Sequence, residues 1–228
     1  MKGKPIDSAL GSLMYAQVCI RPDIAFIVGV LGRYQTNPEN DHWITAKKLM
    51  RYLQYMLVFR RVDNLEIGGY TNSDLIGCVS DRKSISGYIF MLAGGAISWK
   101  SKKETLVAYS TMQAEFVACY DVATHAVRLR NLVTGLRIVD SISKPLKLYC
   151  DNNEAMFYYK NNKTFNDSKN LELKYLTVRD LVKKNDIVVE YIGTDFMLVD
   201  PLTKVLRPIV FKNHVESMGF VSSLDVLG

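Results

Sequence analysis

The stretch ISGYIFMLAGGAISWKSKK (residues 85–103) decides how the rest of the chain reads. Ile85 to Leu92 and Ala96 to Lys100 are rich in β-branched and aromatic residues, and Gly94-Gly95 between them is a tight-hairpin signal. They predict two antiparallel strands. Upstream, Leu57 to Arg61 and Leu65 to Ser73 also read as strands. Downstream the period changes. Thr111 to about Val133 is predicted helical, opened by a capping box of Ser110 and Gln113. Leu146 to Cys150 is a short apolar strand, and Asp151 onward is expected to turn into a short helix. Residues 161–168 form a polar loop. Leu171 to Lys184 is amphipathic, with Leu171, Tyr175, Val178 and Val182 in register, and Ile187 to Ile192 is a strand. Asp200-Pro201 opens a short helical tail. Three consecutive strands followed by strand–helix alternation imply an α/β fold. Its mixed sheet starts as an antiparallel meander, gains parallel strands and carries helices on its faces.

The first sixty residues read as helical. Pro22, after Arg21, suits a first helical turn, and Ala25, Val28 and Leu31 then share a face. Asn37 can cap a further helix with Pro38 at its first position, and Trp43, Ala46, Met50 and Leu53 recur at spacings of three and four.

The chain has 228 residues, 48% of them hydrophobic and 23% charged, which is enough apolar material for a core and excludes disorder as the main theme. Its formal charge of +6 suits a polyanionic partner. Cys19, Cys78, Cys119 and Cys150 form no Cys-x-x-Cys pair, and His42, His125 and His214 are scattered, so a structural zinc site is not expected. The cysteines read as buried thiols in a reducing compartment. Lys2 and Lys4 are followed by no apolar core, and the apolar run from Ile24 to Leu31 is too short to span a bilayer. The expectation is an intracellular protein, cytoplasmic or nuclear, without a membrane partner.

Carboxylates stand out where an apolar residue or a cap would be expected. Glu115 interrupts the stripe Met112, Cys119, Val122, Ala126, Leu129 and Val133. An unpaired carboxylate buried there would cost several kcal/mol, which a cation must offset. The alternative is a wet first-turn Glu favoured by the helix dipole. Asp151 follows an apolar strand, where ligands gather in α/β sheets, or else caps the next helix beside Asn152 and Asn153. Asp200 before Pro201 reads, from the pattern alone, as an ordinary cap. Asp74 shares a strand face with Tyr70 and Asn72. Oxygen ligands of this kind suit hard divalent cations, and two ions about 4 Å apart can clamp a phosphodiester. Trp99, Lys100, Lys102 and Lys103 interleave an aromatic ring with bases, which suits a phosphate backbone, although in isolation the pattern reads first as a lysine-protected sheet edge.

Together these segments resemble the ribonuclease H domain in the Pol polyprotein of copia-type LTR retrotransposons, abundant in plants. The markers are Gly11-Ser12-Leu13-Met14-Tyr15, Arg21-Pro22-Asp23-Ile24-Ala25, Asp81-Arg82-Lys83-Ser84, Ser86-Gly87-Tyr88, Gly94 to Ser101, Ala114-Glu115-Phe116, Tyr149-Cys150-Asp151-Asn152 and Asp200-Pro201-Leu202-Thr203-Lys204. The resemblance covers nearly the whole chain. It implies a ribonuclease H-like five-stranded sheet over residues 57–205, preceded by a helical end of the reverse transcriptase region (1–56) and followed by a tail (206–228). It implies hydrolysis of the RNA strand of RNA–DNA hybrids with two Mg²⁺ ions, or Mn²⁺, held by Glu115, Asp151 and Asp200. It also implies nucleic-acid contacts from Arg82, Lys83, Trp99, Lys100, Lys102, Lys103 and Asn152, and other parts of a Pol polyprotein, the reverse transcriptase included, as partners.

One departure bears on chemistry. The family usually reads Tyr-Ser-Asp-Ala-Asp-Trp-Ala-Gly where this chain reads Tyr70-Thr71-Asn72-Ser73-Asp74-Leu75-Ile76-Gly77. Asn72 therefore stands at the first catalytic Asp position. An amide offers one neutral oxygen and cannot bridge two cations with charge. Asp74, the substitute at hand, lies about 6–7 Å further along the strand, too far without a bulge or register shift. Leu75 replaces the usual Trp, and Lys169-Asn170 replaces a Lys-His pair. The expectation is an impaired hybrid nuclease; the alternative is a catalytically inactive nucleic-acid-binding or structural remnant.

Overall fold

The computed structural model describes residues 5–62, 65–78, 83–105, 107–136, 145–153 and 169–222. Three helices come first: α1 (Ile6–Cys19), α2 (Ala25–Gly32) and α3 (Asn40–Tyr52), with a 3₁₀ turn at Pro22–Ile24. The α3 start differs from expectation. Glu39, not Asn37, is the cap: its side chain accepts from the backbone N–H of His42, and its own N–H donates to His42 Nδ1 at 2.8 Å. A histidine thus completes a capping box usually closed by Glu or Gln.

Then come β1 (Tyr55–Leu57), β2 (Gly68–Cys78), β3 (Lys83–Leu92), β4 (Gly95–Lys103), α4 (Thr111–Gly135), β5 (Leu146–Cys150), α5 (Lys169–Lys183), β6 (Ile187–Tyr191), α6 (Pro208–Ser217) and β7 (Phe220–Ser222). Two 3₁₀ turns, Thr194–Phe196 and Asp200–Leu202, lie between β6 and α6. The main sheet has the order β4-β3-β2-β5-β6. Its first three strands pair antiparallel, and β5 and β6 add in parallel. This is the mixed five-stranded sheet that the element order predicts. The β3–β4 hairpin turns on Ala93-Gly94 instead of Gly94-Gly95, because Leu92 pairs with Gly95. Both turn residues have positive φ, 53° and 74°, which matches the twist of a two-residue hairpin. At the start of α4, Ser110 Oγ accepts from the Gln113 N–H as expected, but Gln113 Oε1 accepts from Tyr109 N–H, one residue before the cap.

Alternation along each strand builds two cores. Phe90, Leu146, Leu148 and Cys150 pack under α4 and α5 against Phe116, Cys119, Val122 and Val178. Neighbouring Ile89 and Ala96 face the other way, against Met197, Val199, Leu202, Val215 and Phe220. Ala25 of α2 joins this second core. A third cluster, with Leu10, Leu13, Ile24, Val28, Leu31 and Ala46, holds the three N-terminal helices together.

The N-terminal helices are tied to the sheet. Strand β1 pairs antiparallel with β7, Tyr55 opposite Ser222 and Leu57 opposite Phe220, in a two-stranded sheet the sequence does not announce. Arg21, 1% exposed, holds Asp23 with two bonds of 2.9 and 2.7 Å and lies 4.8 Å over the Tyr52 ring and 5.3 Å from that of Phe220. Among the described residues, no helix is long and apolar enough to cross a membrane. Cys119 and Cys150 are buried as expected, whereas Cys19 is exposed at the end of α1, where the apolar pattern is too weak to turn it inward.

Candidate active site

Four elements converge at one end of the sheet. Strand β2 carries Asn72, the second turn of α4 carries Glu115, Asp151 follows the last residue of β5, and a 3₁₀ turn carries Asp200. Gly87 explains how the last of these comes so close. It pairs opposite Asn72, and a Cβ there would stand 2.9 Å from Thr203 Cγ2 and 3.1 Å from Val199 Cγ2. Its missing side chain lets the 199–203 segment settle on β3. The Ser101 hydroxyl pins that segment by donating to the Leu202 carbonyl at 2.6 Å.

Glu115 is 2% exposed, so it is not a wet first-turn residue. Its Oε1 accepts from the Ser73 N–H at 2.8 Å, while Oε2 has no hydrogen-bond partner among the described residues. Asp200, also 2% exposed, has both oxygens engaged: Asn72 Nδ2 donates to Oδ1 at 2.5 Å, and Lys204 Nζ lies 2.8 Å from Oδ2. Asp200 therefore does not act as a cap; the turn shows no side-chain cap bond. Asp151 is half-buried, with the Thr194 hydroxyl 3.5 Å from its Oδ2. Glu115, Cys150 and Asp151 each present a ligand atom, all within 4.8 Å of one another.

Electrostatics follow from this crowding. Burial, then the nearby charges of Asp151 and Asp200, holds the Glu115 carboxyl well above the ordinary carboxylate range, against the opposing Ser73 N–H and Lys204. Burial and Asp200 raise Asp151 in the same way. The Cys150 thiol is likewise pushed well up, first by burial and then by Glu115. A group of acids that prefers its protons in isolation is one that a cation would relieve.

The test for a bound metal divides the site in two. The orphaned Oε2 of Glu115 beside Asp151 fits a divalent cation. The corner formed by Asn72 and Asp200 does not fit a second one, because an amide N–H and an ammonium already occupy both Asp200 oxygens. Three carboxylates and Lys204 leave two net negative charges when ionised, the complement of one divalent ion.

The expected residues separate accordingly. Glu115, Asp151, Asp200 and Asn72 are brought together. No bulge shifts Asp74 towards Asn72: β2 and β3 keep regular register from Gly68 to Asp74, and the irregularity begins only after Asp74. Trp99 is not a free stacking surface, since its indole N–H donates to the Gln17 carbonyl at 2.8 Å and its ring packs in the second core. Lys102 is committed to Glu104 at 3.1 Å and Asp121 at 3.4 Å. Lys100 is exposed, and Lys83 and Lys103 are partly so. Asn152 donates its backbone N–H to Cys150 Sγ at 3.5 Å. Arg82, the helix expected after Asp151 and the loop at 161–168 lie outside the described residues. Lys204 and Cys150 were not foreseen. Lys204 carries a readable signal, four residues beyond Asp200. Cys150 carries none, because adjacent strand residues point apart unless the strand ends between them.

No family model matches the chain. The retrovirus-related Pol polyprotein from transposon TNT 1-94 of Nicotiana tabacum is 37% identical over 223 residues, 96% of this chain and 16% of that polyprotein. The chain's homologues are retrovirus-related Pol polyproteins of plant transposons. The chain spans about a sixth of the length of these Pol relatives. Secreted RxLR effector protein 161 of Plasmopara viticola is 42% identical over 133 residues, 57% of this chain and 94% of that protein. Among solved structures, the foamy viral protease–reverse transcriptase in complex with double-stranded DNA matches with a TM-score of 0.54 at 13% identity, over 84% of this chain and 38% of that one. An RNase H domain from Mycobacterium tuberculosis matches with a TM-score of 0.44 at 10% identity, over 68% of this chain and 99% of that one. The fold is ribonuclease H-like, as the mixed five-stranded order β4-β3-β2-β5-β6 expects, and the converging acids lie in the stretch that aligns with the Pol polyprotein.

Proposed function

We propose that this domain engages RNA–DNA hybrids at the acidic end of its sheet and hydrolyses the RNA strand poorly or not at all. The observation that carries this reading is the hydrogen bond from Asn72 to Asp200, which fills the place of a bridging carboxylate with a donor. A divalent cation, when bound beside Glu115 and Asp151, supplies charge stabilisation and an activated water. The chain's own contribution is positional. The Ser73 N–H orients Glu115, Thr194 stands beside Asp151, and Lys204 holds Asp200. Solvent-facing Lys100 supports phosphate contact. Lys102 supports it less, because its charge is already shared by two acids.

A labelled RNA–DNA hybrid in Mg²⁺ or Mn²⁺ tests the proposal. Binding that weakens with salt and slow cutting that rises steeply on Asn72→Asp are expected. Robust cutting by the unaltered chain, abolished by Asp151→Asn, would sink it. A second reading, an interaction module with no nucleic-acid role, is favoured by the inward commitment of Trp99 and Lys102; it predicts no hybrid binding at any salt concentration.

A further inference from the structure

A cavity of about 320 Å³ lies where the N-terminal helices meet the chain after Asp200. Its walls come from α2 (Phe26, Ile27), from α3 (Leu49, Tyr52) and from the stretch between Pro201 and Phe211. That volume is at the small end of ligand sites, which gather at junctions between structural units. Polar groups in the wall are few. Asp23 is buried, and its carboxylate is taken up by Arg21. The Thr45 hydroxyl donates to the Asp41 carbonyl of its own helix at 2.8 Å. Two ammonium groups remain. Lys204 is held by Asp200, whereas exposed Lys48 has no partner among the described residues. Cations continue on both sides. Arg51 stands one turn beyond Lys48 on α3, and Arg207 follows Leu206 of the opposite wall; both are exposed. Apolar side chains reach solvent here too: Val205 is 80% and Ile209 76% exposed. An apolar recess with apolar lips and unpaired cations beside it is a surface built for a partner.

We propose that this cavity docks an acidic peptide of a partner protein, with an aromatic or branched aliphatic side chain anchored inside and neighbouring Asp or Glu residues meeting Lys48, Arg51 and Arg207. Charge complementarity selects the occupant. A second copy of the chain, at a net charge of +6, brings repulsion. A nucleic-acid strand brings negative charge, but reading a base needs polar partners along its edge, and this lining offers little beyond Thr45 and two ammonium groups. A small organic acid carries its charge at one point, whereas the cations stand on both walls. A peptide supplies an apolar anchor at one position and acids at several others. The anchor gives most of the affinity, and the acids give association rate and selectivity.

The test pans a random peptide library displayed on phage against the full chain, after depletion on Thr45→Trp, which plugs the cavity. Enriched peptides should combine an aromatic or branched aliphatic residue with net negative charge. A synthetic peptide of the enriched sequence should bind at least about tenfold more weakly to Thr45→Trp and about threefold more weakly to Lys48→Glu, which reverses a charge at the rim. Its affinity should fall as salt rises. Circular dichroism checks folding; where Thr45→Trp fails to fold, Val205→Asp, made on an exposed side chain at the mouth, takes its place. No enrichment, enrichment of neutral or basic peptides, or binding that ignores either substitution overturns the proposal. A single-stranded oligonucleotide or decanoate that binds with the same dependence on Thr45, where no peptide is enriched, overturns it in favour of that ligand.

Discussion

Asn72 donates an amide N–H to Asp200 across 2.5 Å, so the two residues attract where an Asp–Asp pair would repel. Substituting Asn72→Asp places like charges in direct contact beside Glu115 and Asp151. The metal-free protein should lose about 1–3 kcal/mol. Mg²⁺ should return much of it, about 2.7 kcal/mol at a hundredfold excess over Kd. Thermal melts of both proteins with and without Mg²⁺ measure this. An Asn72→Asp melting temperature that ignores Mg²⁺ would show that the second ion site is not restored.

The buried acids make metal-free stability pH-dependent. Glu115 and Asp151 have folded pKa values raised above those of the unfolded chain. Their contribution is fully present below the unfolded carboxylate pKa near 4 and is lost as pH rises through the folded values. Urea melts across this range should therefore show these groups opposing folding towards neutral pH. Glu115→Gln should flatten that slope and leave the neutral-pH protein more stable than the parent in the absence of metal.

Arg21→Met leaves Asp23 buried without its cation. A loss of about 3–5 kcal/mol is expected. Arg21→Met with Asp23→Leu should recover most of it, since removing both charges avoids the unpaired one. Denaturant unfolding of the singles and the double closes the cycle, and additive losses would refute the coupling.

Ala93 occupies a left-handed turn position, φ 53°, that costs an L-alanine about 1 kcal/mol. Ala93→Asn creates the Asn-Gly pair this turn prefers and should stabilise by about 0.5–1 kcal/mol, read as a shift in the urea midpoint. Gly87→Ala acts in the opposite sense, because its Cβ would meet the Asp200 segment at 2.9 Å.

The order of strands and helices from residue 65 onward is legible because periodicity and turn residues report local structure directly. Thr111, Leu146 and Ile187 start their elements where the pattern places them. The Glu115, Asp151 and Asp200 cluster is legible through the family motifs, while the spacing of each residue alone also allows a wet helix start or a cap. What stays hidden depends on contacts between distant segments. The pairing of Tyr55 with Ser222 spans most of the chain, and three residues a side carry too little pattern to betray it. The inward turn of Trp99 depends on a carbonyl of α1, which no property of residues 99–103 encodes.

That short ribbon also sets an order of events during synthesis. Tyr55 to Leu57 leave the ribosome some 160 residues before Phe220 to Ser222, at which point Arg21 first meets the ring of Phe220. At about 5–20 residues per second, the N-terminal helices wait on the order of ten seconds or more with an apolar flank uncovered. A nascent chain interrupted before residue 220 would never cover it, so this flank stays exposed until synthesis has passed β7.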